Sequence, residues 1–236
     1  MQSYLVENLF FNIHYTDLRI EPAVKIVMHI LNDIVITTNQ TTPYDINIVI
    51  DDDMDHKTYG MASWETKRIW LNADNFGRMA ELNDISFDLN VSIVLHEFLH
   101  TMGLIGGSLS YKYILGDNDE PPNVYTGPHG IEQYRIVLQC NQKDITNILY
   151  LPLEDDFGEG TKMSHLEEGT DEDKTTEHRI IGGTPYPVIT NEIMTGFLDR
   201  RNYLTPITLG LLQDIGFTVN YTSQYVTSNG KYMRFV

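Results

Sequence analysis

A largely apolar segment at residues 91–102 contains three ionisable residues whose spacing restricts how this chain can fold: His96, Glu97 and His100. Residues four apart lie on one face of a helix, so both imidazoles would project from the same side. A polar group among apolar neighbours costs free energy unless it is hydrogen-bonded or coordinates a metal. The segment therefore predicts a largely buried helix that brings two histidines to one point.

The pattern His-Glu-x-x-His at residues 96–100 has the spacing of a helical zinc site. Two imidazoles on one helical face can bind the same zinc ion, and the glutamate beside them can act as a general base toward a water molecule. We therefore predict that His96 and His100 bind zinc and that Glu97 is the general base.

Residues at both ends of the segment set the limits of the predicted helix. Asp84 and Ser86 precede it and belong to the residue types that cap helices. Gly103 predicts both the end of the helix and a sharp turn, because glycine readily takes a positive φ. The turn would lead the chain toward a second lobe.

A catalytic zinc site usually has three protein ligands and one open position, so a third ligand is expected outside this helix. The histidines that follow the helix in sequence are His129, His165 and His178. A downstream glutamate, such as Glu167 or Glu192, is the alternative ligand. The histidines expected to lie at the surface or in local hydrogen bonds are His14, His29, His56 and His129.

Several patches of sequence, taken in order, resemble the leishmanolysin-like family of metzincin zinc peptidases. The likeness extends over roughly residues 60 to 220. The patches are residues 96–103, residues 125–128 with Tyr134, residues 164–167 (Ser-His-Leu-Glu) and residues 191–196 (Asn-Glu-Ile-Met-Thr-Gly), followed by a helix end at residues 211–217. The order and the combination of these patches carry the resemblance.

The resemblance implies an assignment for the third ligand. In this family a long insertion separates the glycine of the motif from the third histidine, which implies His165, with His178 as the competitor. Metzincins with a compact signature carry this ligand at the position of Gly106, which has no side chain to bind a metal. Met194 would lie in the methionine turn beneath the metal without binding it, and Gly196 stands where some metzincins have a tyrosine ligand.

The resemblance also implies the fold, an α+β, metzincin-like zincin domain that spans residues 1–236. The N-terminal lobe, about residues 1–105, would contain a twisted mixed β-sheet and the long active-site helix. The C-terminal lobe, about residues 106–236, would be smaller and loop-rich, with a terminal helix. A chain of 236 residues that is 42% hydrophobic is long enough for one sizeable core.

Local patterns predict individual elements of this fold. Strands are expected at residues 10–15, 45–50 and 68–71, and helices at residues 21–35, 131–140 and 205–216. Residues 59–63 are expected to form an edge strand beside the cleft, and the resemblance implies that an extended peptide binds there as a further strand, as in metzincins. Residues 154–173, which are rich in acidic residues and glycine, are expected to form a long exposed loop around His165.

The motif and the resemblance together imply a zinc-dependent endopeptidase with a polypeptide substrate. His96, His100 and His165 would hold Zn²⁺, and Glu97 would take a proton from water and pass it to the leaving amine. The alternatives are a gluzincin-type peptidase with a glutamate as third ligand and a zinc-bearing binding or adhesion protein without turnover. The presence of Glu97 favours catalysis, because a structural zinc site needs no general base.

The composition is strongly acidic, with 33 acidic against 16 basic residues and a net charge of −17. This argues against nucleic acid as a partner, because a phosphate backbone attracts basic surfaces. Two acidic clusters, at residues 51–55 and 171–173, could bind Ca²⁺ through carboxylate oxygens, although ordinary loop acidity is the simpler interpretation.

The remaining features concern redox state and location. The single cysteine, Cys140, excludes an internal disulfide and is expected to be buried and inert. No stretch reaches the roughly 20 apolar residues of a membrane span. The sequence gives no indication of the oligomeric state. The first residues show no signal peptide, whereas the family resemblance favours an extracellular or cell-surface location.

Overall fold

The computed structural model describes residues 2–6, 9–38, 42–76, 89–107, 110–116, 122–140, 143–155, 160–169, 178–197 and 202–227. These residues form a mixed α+β fold, in agreement with the class expected from the sequence. The helices are α1 (Glu21–Ile34), α2 (Leu89–Thr101), α3 (Pro128–Cys140) and α4 (Pro206–Asp214). The strands are β1 (Gln2–Val6), β2 (Leu9–His14), β3 (Val35–Thr38), β4 (Tyr44–Asp51), β5 (Gly60–Ser63), β6 (Arg68–Asn72), β7 (Ile114–Leu115), β8 (Val124–Tyr125), β9 (Leu151–Pro152), β10 (His178–Ile181), β11 (Thr184–Pro187) and β12 (Phe217–Val219).

A five-stranded mixed sheet in the order β1-β2-β4-β6-β5 dominates the first half of the chain. β2, β4 and β6 are parallel, whereas β1 and β5 pair antiparallel at the two edges. In β4 the buried residues Tyr44, Ile46 and Ile48 alternate with more exposed ones, so one face of the sheet lies against the core. The predicted edge strand is confirmed as β5, which contacts α2.

Helices α1 and α2 contact each other beside this sheet through apolar residues. α1 begins at Glu21 with a proline in its first turn, where the missing N–H has no cost. α2 buries most of its residues, including Val94, Leu95 and Phe98. This burial places the polar residues of α2 in an environment where they need partners.

The second half of the chain contains shorter elements. β7, β8 and β9 form a small sheet, β10 and β11 form a hairpin, and α3 packs against α4. Gly216, with a φ of 105°, follows α4 and turns the chain into β12, which pairs with β3. α4 is the last helix of the described residues, as the sequence predicted, and after it the chain returns to its first half through β12. The division into lobes near residue 105 stays a prediction.

Residues 165–169 correct the expectation of an exposed loop, because all five are buried. Leu166 forms isolated bridges with Leu153 and Thr195. Glu154 is also fully buried. The acidic composition suggested exposure, but contacts with segments distant in sequence bury this stretch.

Three further expectations have different outcomes. Cys140 is exposed at the end of α3, so the buried thiol expected from the sequence is wrong. Asp84, Ser86 and residues 171–173 lie outside the described residues. Over the part of the chain that the structure describes, no helix combines the length and apolarity needed to cross a membrane.

Candidate metal centre

The two histidines of the motif lie on one face of α2, and their Nε2 atoms are 3.0 Å apart. Both rings are partly exposed, whereas the intervening residues Phe98 and Leu99 are fully buried. Glu97 is 5% exposed. His96 and His100 therefore form a polar strip on an otherwise apolar helix.

The turn after α2 orients the ring of His100. Gly103 has a φ of 101° and ends the helix as the sequence predicted. The Nδ1 atom of His100 donates to the carbonyl oxygens of Leu104 at 3.2 Å and Ile105 at 3.1 Å. Ile105 has a φ of 27°, which is unfavourable for a β-branched residue, so the surrounding packing holds this carbonyl in a strained position.

His165 reaches the same place from the loop at residues 160–169. Its Nδ1 atom donates to the carbonyl oxygen of Thr161 at 2.9 Å. Ser164 lies against Gly106, where an added Cβ would be 3.1 Å from the Ser164 Cβ. Gly106 therefore leaves room for the loop that carries His165.

The turn at residues 191–196 supports two of the three histidines through its backbone. The carbonyl oxygen of Ile193 accepts a hydrogen bond from Nδ1 of His96 at 2.6 Å. The carbonyl oxygen of Met194 accepts one from the backbone N–H of Leu166 at 2.9 Å, in the segment of the third histidine. The Met194 side chain is fully buried.

Glu192 fixes this turn to the start of α4. Its carboxylate is 1% exposed and accepts hydrogen bonds from the backbone N–H of Met194 and the hydroxyls of Thr205 and Thr208. Burial raises the pKa of Glu192 to about 7, although the hydrogen bonds oppose this shift. Both oxygens are thus engaged by other groups, and Glu192 is not among the clustered histidine ligands.

The three histidines converge through their Nε2 atoms. The separations are 3.0 Å from His96 to His100, 3.0 Å from His96 to His165 and 3.3 Å from His100 to His165. A carbonyl oxygen can only accept, so each Nδ1 carries the proton and each neutral ring presents an Nε2 lone pair. Three lone pairs at this distance repel one another unless a cation lies between them.

The donor set fits a metal ion of zinc's size. A tetrahedral zinc with Zn–N bonds of about 2.0–2.1 Å separates its ligand nitrogens by about 3.3–3.4 Å, close to the distances between these atoms. In each of the three rings Nδ1 donates to a backbone carbonyl oxygen, and a metal-bound histidine usually has such a hydrogen bond at its other nitrogen. The structure therefore brings His96, His100 and His165 together as a cluster that could hold a metal ion.

The electrostatics of the cluster favour neutral rings. Burial, together with the neighbouring histidines, lowers the pKa of His96 well below its ordinary value. Burial also lowers the pKa of His100 and brings that of His165 to about 3. A neutral imidazole is the form that binds metals, so the site is ready for a cation without losing protons near neutral pH.

The Glu97 side chain, which projects from α2, lies against Gly60, the first residue of β5. A Cβ added to Gly60 would lie 2.7 Å from the Glu97 Oε1. Burial raises the pKa of Glu97 to about 8. A positive charge at the neighbouring histidines would oppose this shift and favour the carboxylate.

The other ligand candidates lie elsewhere. His178 is the first residue of the β10–β11 hairpin. Glu167 forms a separate acidic group with Glu154 and Asp155. The guanidinium of Arg179 lies 3.4 Å from the Glu167 carboxylate. Among the described residues, the cluster around α2 contains the three histidines alone.

The acidic loop at residues 51–55 is arranged by local hydrogen bonds. The carboxylate of Asp51 accepts the backbone N–H of Asp53, and that of Asp55 accepts the backbone N–H of Lys57. Calcium binding by this loop stays a prediction.

Comparison with known proteins gives no family assignment. No protein-family model matches the chain, and a search of curated proteins found no match. The resemblance to leishmanolysin-like metzincins therefore depends on the sequence patches.

Sequence reasoning missed two parts of the site. The carbonyl oxygens that orient the histidines leave no signal in residue types. Gly60 was predicted only as part of the edge strand, although a glycine inside a strand often marks a close approach of the backbone to another group.

Proposed function

We propose that this protein is a zinc-dependent endopeptidase of metzincin type, with His96, His100 and His165 as zinc ligands and Glu97 as general base. The observation that carries the proposal is the convergence of three histidine Nε2 atoms, two of them from the helix that also carries the buried Glu97. Three imidazoles with an open fourth position suit a catalytic zinc. The mixed sheet and the turn that contains Met194 support the metzincin type.

In the proposed reaction Glu97 takes a proton from the attacking water and passes it to the leaving amine. Zinc at the three histidines would activate that water and polarise the scissile carbonyl. Glu97 can accept a proton only as a carboxylate, so its raised pKa makes the general base dependent on positive charge at the histidines. No covalent intermediate is needed.

An extended polypeptide is the substrate class that suits the edge strand β5. Within the described residues β5 pairs with β6 alone, so the backbone groups of its other edge can bind a peptide as an added strand. Gly60 at the start of β5 lies against Glu97, so a peptide along this strand would pass close to the general base.

Zinc content and peptide hydrolysis, measured on the same preparation, test the proposal. The purified protein should contain one zinc per chain and cut an unfolded protein substrate. A strong chelator should remove both the zinc and the activity, and added zinc should restore them. Hydrolysis that survives complete metal removal contradicts the proposal, whereas bound zinc without hydrolysis of unfolded substrates favours the zinc-bearing binding protein.

A further inference from the structure

We propose that Gly60 is a positioning residue that fixes the place of the Glu97 carboxylate. This inference rests on the proposed role of Glu97 as general base. Gly60 is the first residue of β5 and pairs with Leu71 of β6, so it belongs to the sheet, in a strand that contacts α2.

A side chain at position 60 would collide with Glu97. An added Cβ would lie 2.7 Å from Oε1 and 3.1 Å from both Cδ and Cγ of that residue. All three of the nearest atoms belong to Glu97. The absence of a side chain at Gly60 therefore leaves the space that the end of the Glu97 side chain occupies.

The backbone of Gly60 does not itself require glycine. Gly103 and Gly106 have positive φ values, but Gly60 does not. Alanine can adopt an ordinary strand conformation and is more favourable than glycine inside a strand. Space for Glu97 is thus the physical reason for a glycine here.

Replacing Gly60 with alanine should move the carboxylate. The end of the Glu97 side chain can rotate, whereas β5 and α2 are fixed by the sheet and by buried apolar residues. A shift of about 1 Å in a reacting group can lower a rate by up to about 10²-fold. None of the nearest atoms belongs to a histidine, so zinc binding should be preserved.

The test compares Gly60→Ala with the wild type in structure, zinc affinity and kinetics. We expect a crystal structure of the metal-free variant to show the Glu97 carboxylate displaced, with zinc affinity unchanged in competition with a chelator. We expect kcat to fall about 10- to 100-fold with KM nearly constant. In a Glu97→Gln background the same replacement should cause no further loss of rate, because the base is already absent.

A Glu97 carboxylate that keeps its wild-type place in the variant, with kcat unchanged, overturns the proposal. If Gly60→Ala does not fold, Gly60→Ala/Glu97→Ala decides the matter: recovery of folding supports the steric role, and failure to recover overturns it. The displacement is read from metal-free protein. A wild type that binds no zinc or cuts no peptide therefore refutes the proposed function separately from the steric role of Gly60.

Discussion

Backbone carbonyls make the three histidines suitable as ligands. The acceptors of the Nδ1 protons are the carbonyl oxygens of Ile193 for His96, of Leu104 and Ile105 for His100, and of Thr161 for His165. Because main-chain atoms supply these bonds, no side-chain deletion removes an acceptor directly. The orientation of each ring depends instead on the conformation of a turn.

Glu97→Gln should separate metal binding from catalysis. The amide keeps the size of the side chain beside Gly60 but cannot take a proton from water, so the rate of peptide hydrolysis should fall by roughly 10²- to 10⁴-fold. Zinc content should remain at the wild-type level, because Glu97 is not among the clustered ligands. A near-normal rate in a zinc-loaded variant refutes the general-base assignment.

Met194→Leu should be tolerated far better than replacement of a ligand. The side chain is fully buried and its proposed role is packing, so a swap of similar volume should lower the free energy of unfolding by less than about 1.5 kcal/mol. Zinc content and urea unfolding, measured side by side, check this. Complete loss of zinc from a folded Met194→Leu protein contradicts the packing role.

At the scale of elements, the site is assembled where α2, β5, the loop at residues 160–169 and the turn at residues 191–196 meet. The end of α2 is held by Lys67, whose Nζ donates to the carbonyl oxygen of Thr101 at 2.8 Å. A cation beside the last turn of a helix is also favoured by the helix dipole. The ligand positions thus depend on contacts between elements as well as on the helix.

Gly196→Ala should weaken zinc binding through the loop that carries His165. An added Cβ would lie 2.4 Å from the Thr161 Cγ2, and Thr161 supplies the carbonyl that orients His165. Disturbing a group that orients a ligand typically lowers metal affinity about 10- to 100-fold. Chelator competition measures the change, and an unchanged affinity in a folded variant refutes this dependence.

Glu192→Gln should alter how the stability of the metal-free protein depends on pH. The folded pKa of about 7 lies above the ordinary 4.5, so the folded state retains a proton that the unfolded state loses between these values. The stability associated with this proton is complete below about pH 4.5 and is lost as pH rises through about 7. The amide keeps the shape of the protonated form without titrating.

Urea unfolding at about pH 5 and about pH 8 tests this expectation. The unfolding free energy of Glu192→Gln, relative to the wild type, should increase from the lower to the higher pH. If the difference in unfolding free energy between Glu192→Gln and the wild type is the same at both pH values, the titration of Glu192 does not contribute to the pH dependence of stability.

The sequence predicted elements whose patterns are local. The apolar periodicity of α1, the alternation in β4 and the cap of α4 at Thr205 all match the structure, because each depends on neighbouring residues. The bridges of Leu166 and the pairing of β12 with β3 were not predicted. These contacts join residues far apart in the chain, and no local pattern encodes them.

At the scale of the whole molecule, the histidine cluster joins the two halves of the chain. His96 and His100 come from α2 in the first half, and His165 comes from the second half. The pair on α2 followed from spacing, since four residues make about one helical turn. The third histidine depends on tertiary structure, so only the family resemblance distinguished His165 from His178.

The central claim is that His165 completes a three-histidine zinc site, and zinc affinity measured side by side in His165→Ala and His178→Ala tests it most directly. With folding checked in both variants, chelator competition should show a loss of orders of magnitude for His165→Ala, because a two-ligand site depends largely on water. His178→Ala should keep the wild-type affinity, since its side chain belongs to the β10–β11 hairpin. Loss of zinc in the His178 variant with retention in the His165 variant, or retention in both, would contradict the account.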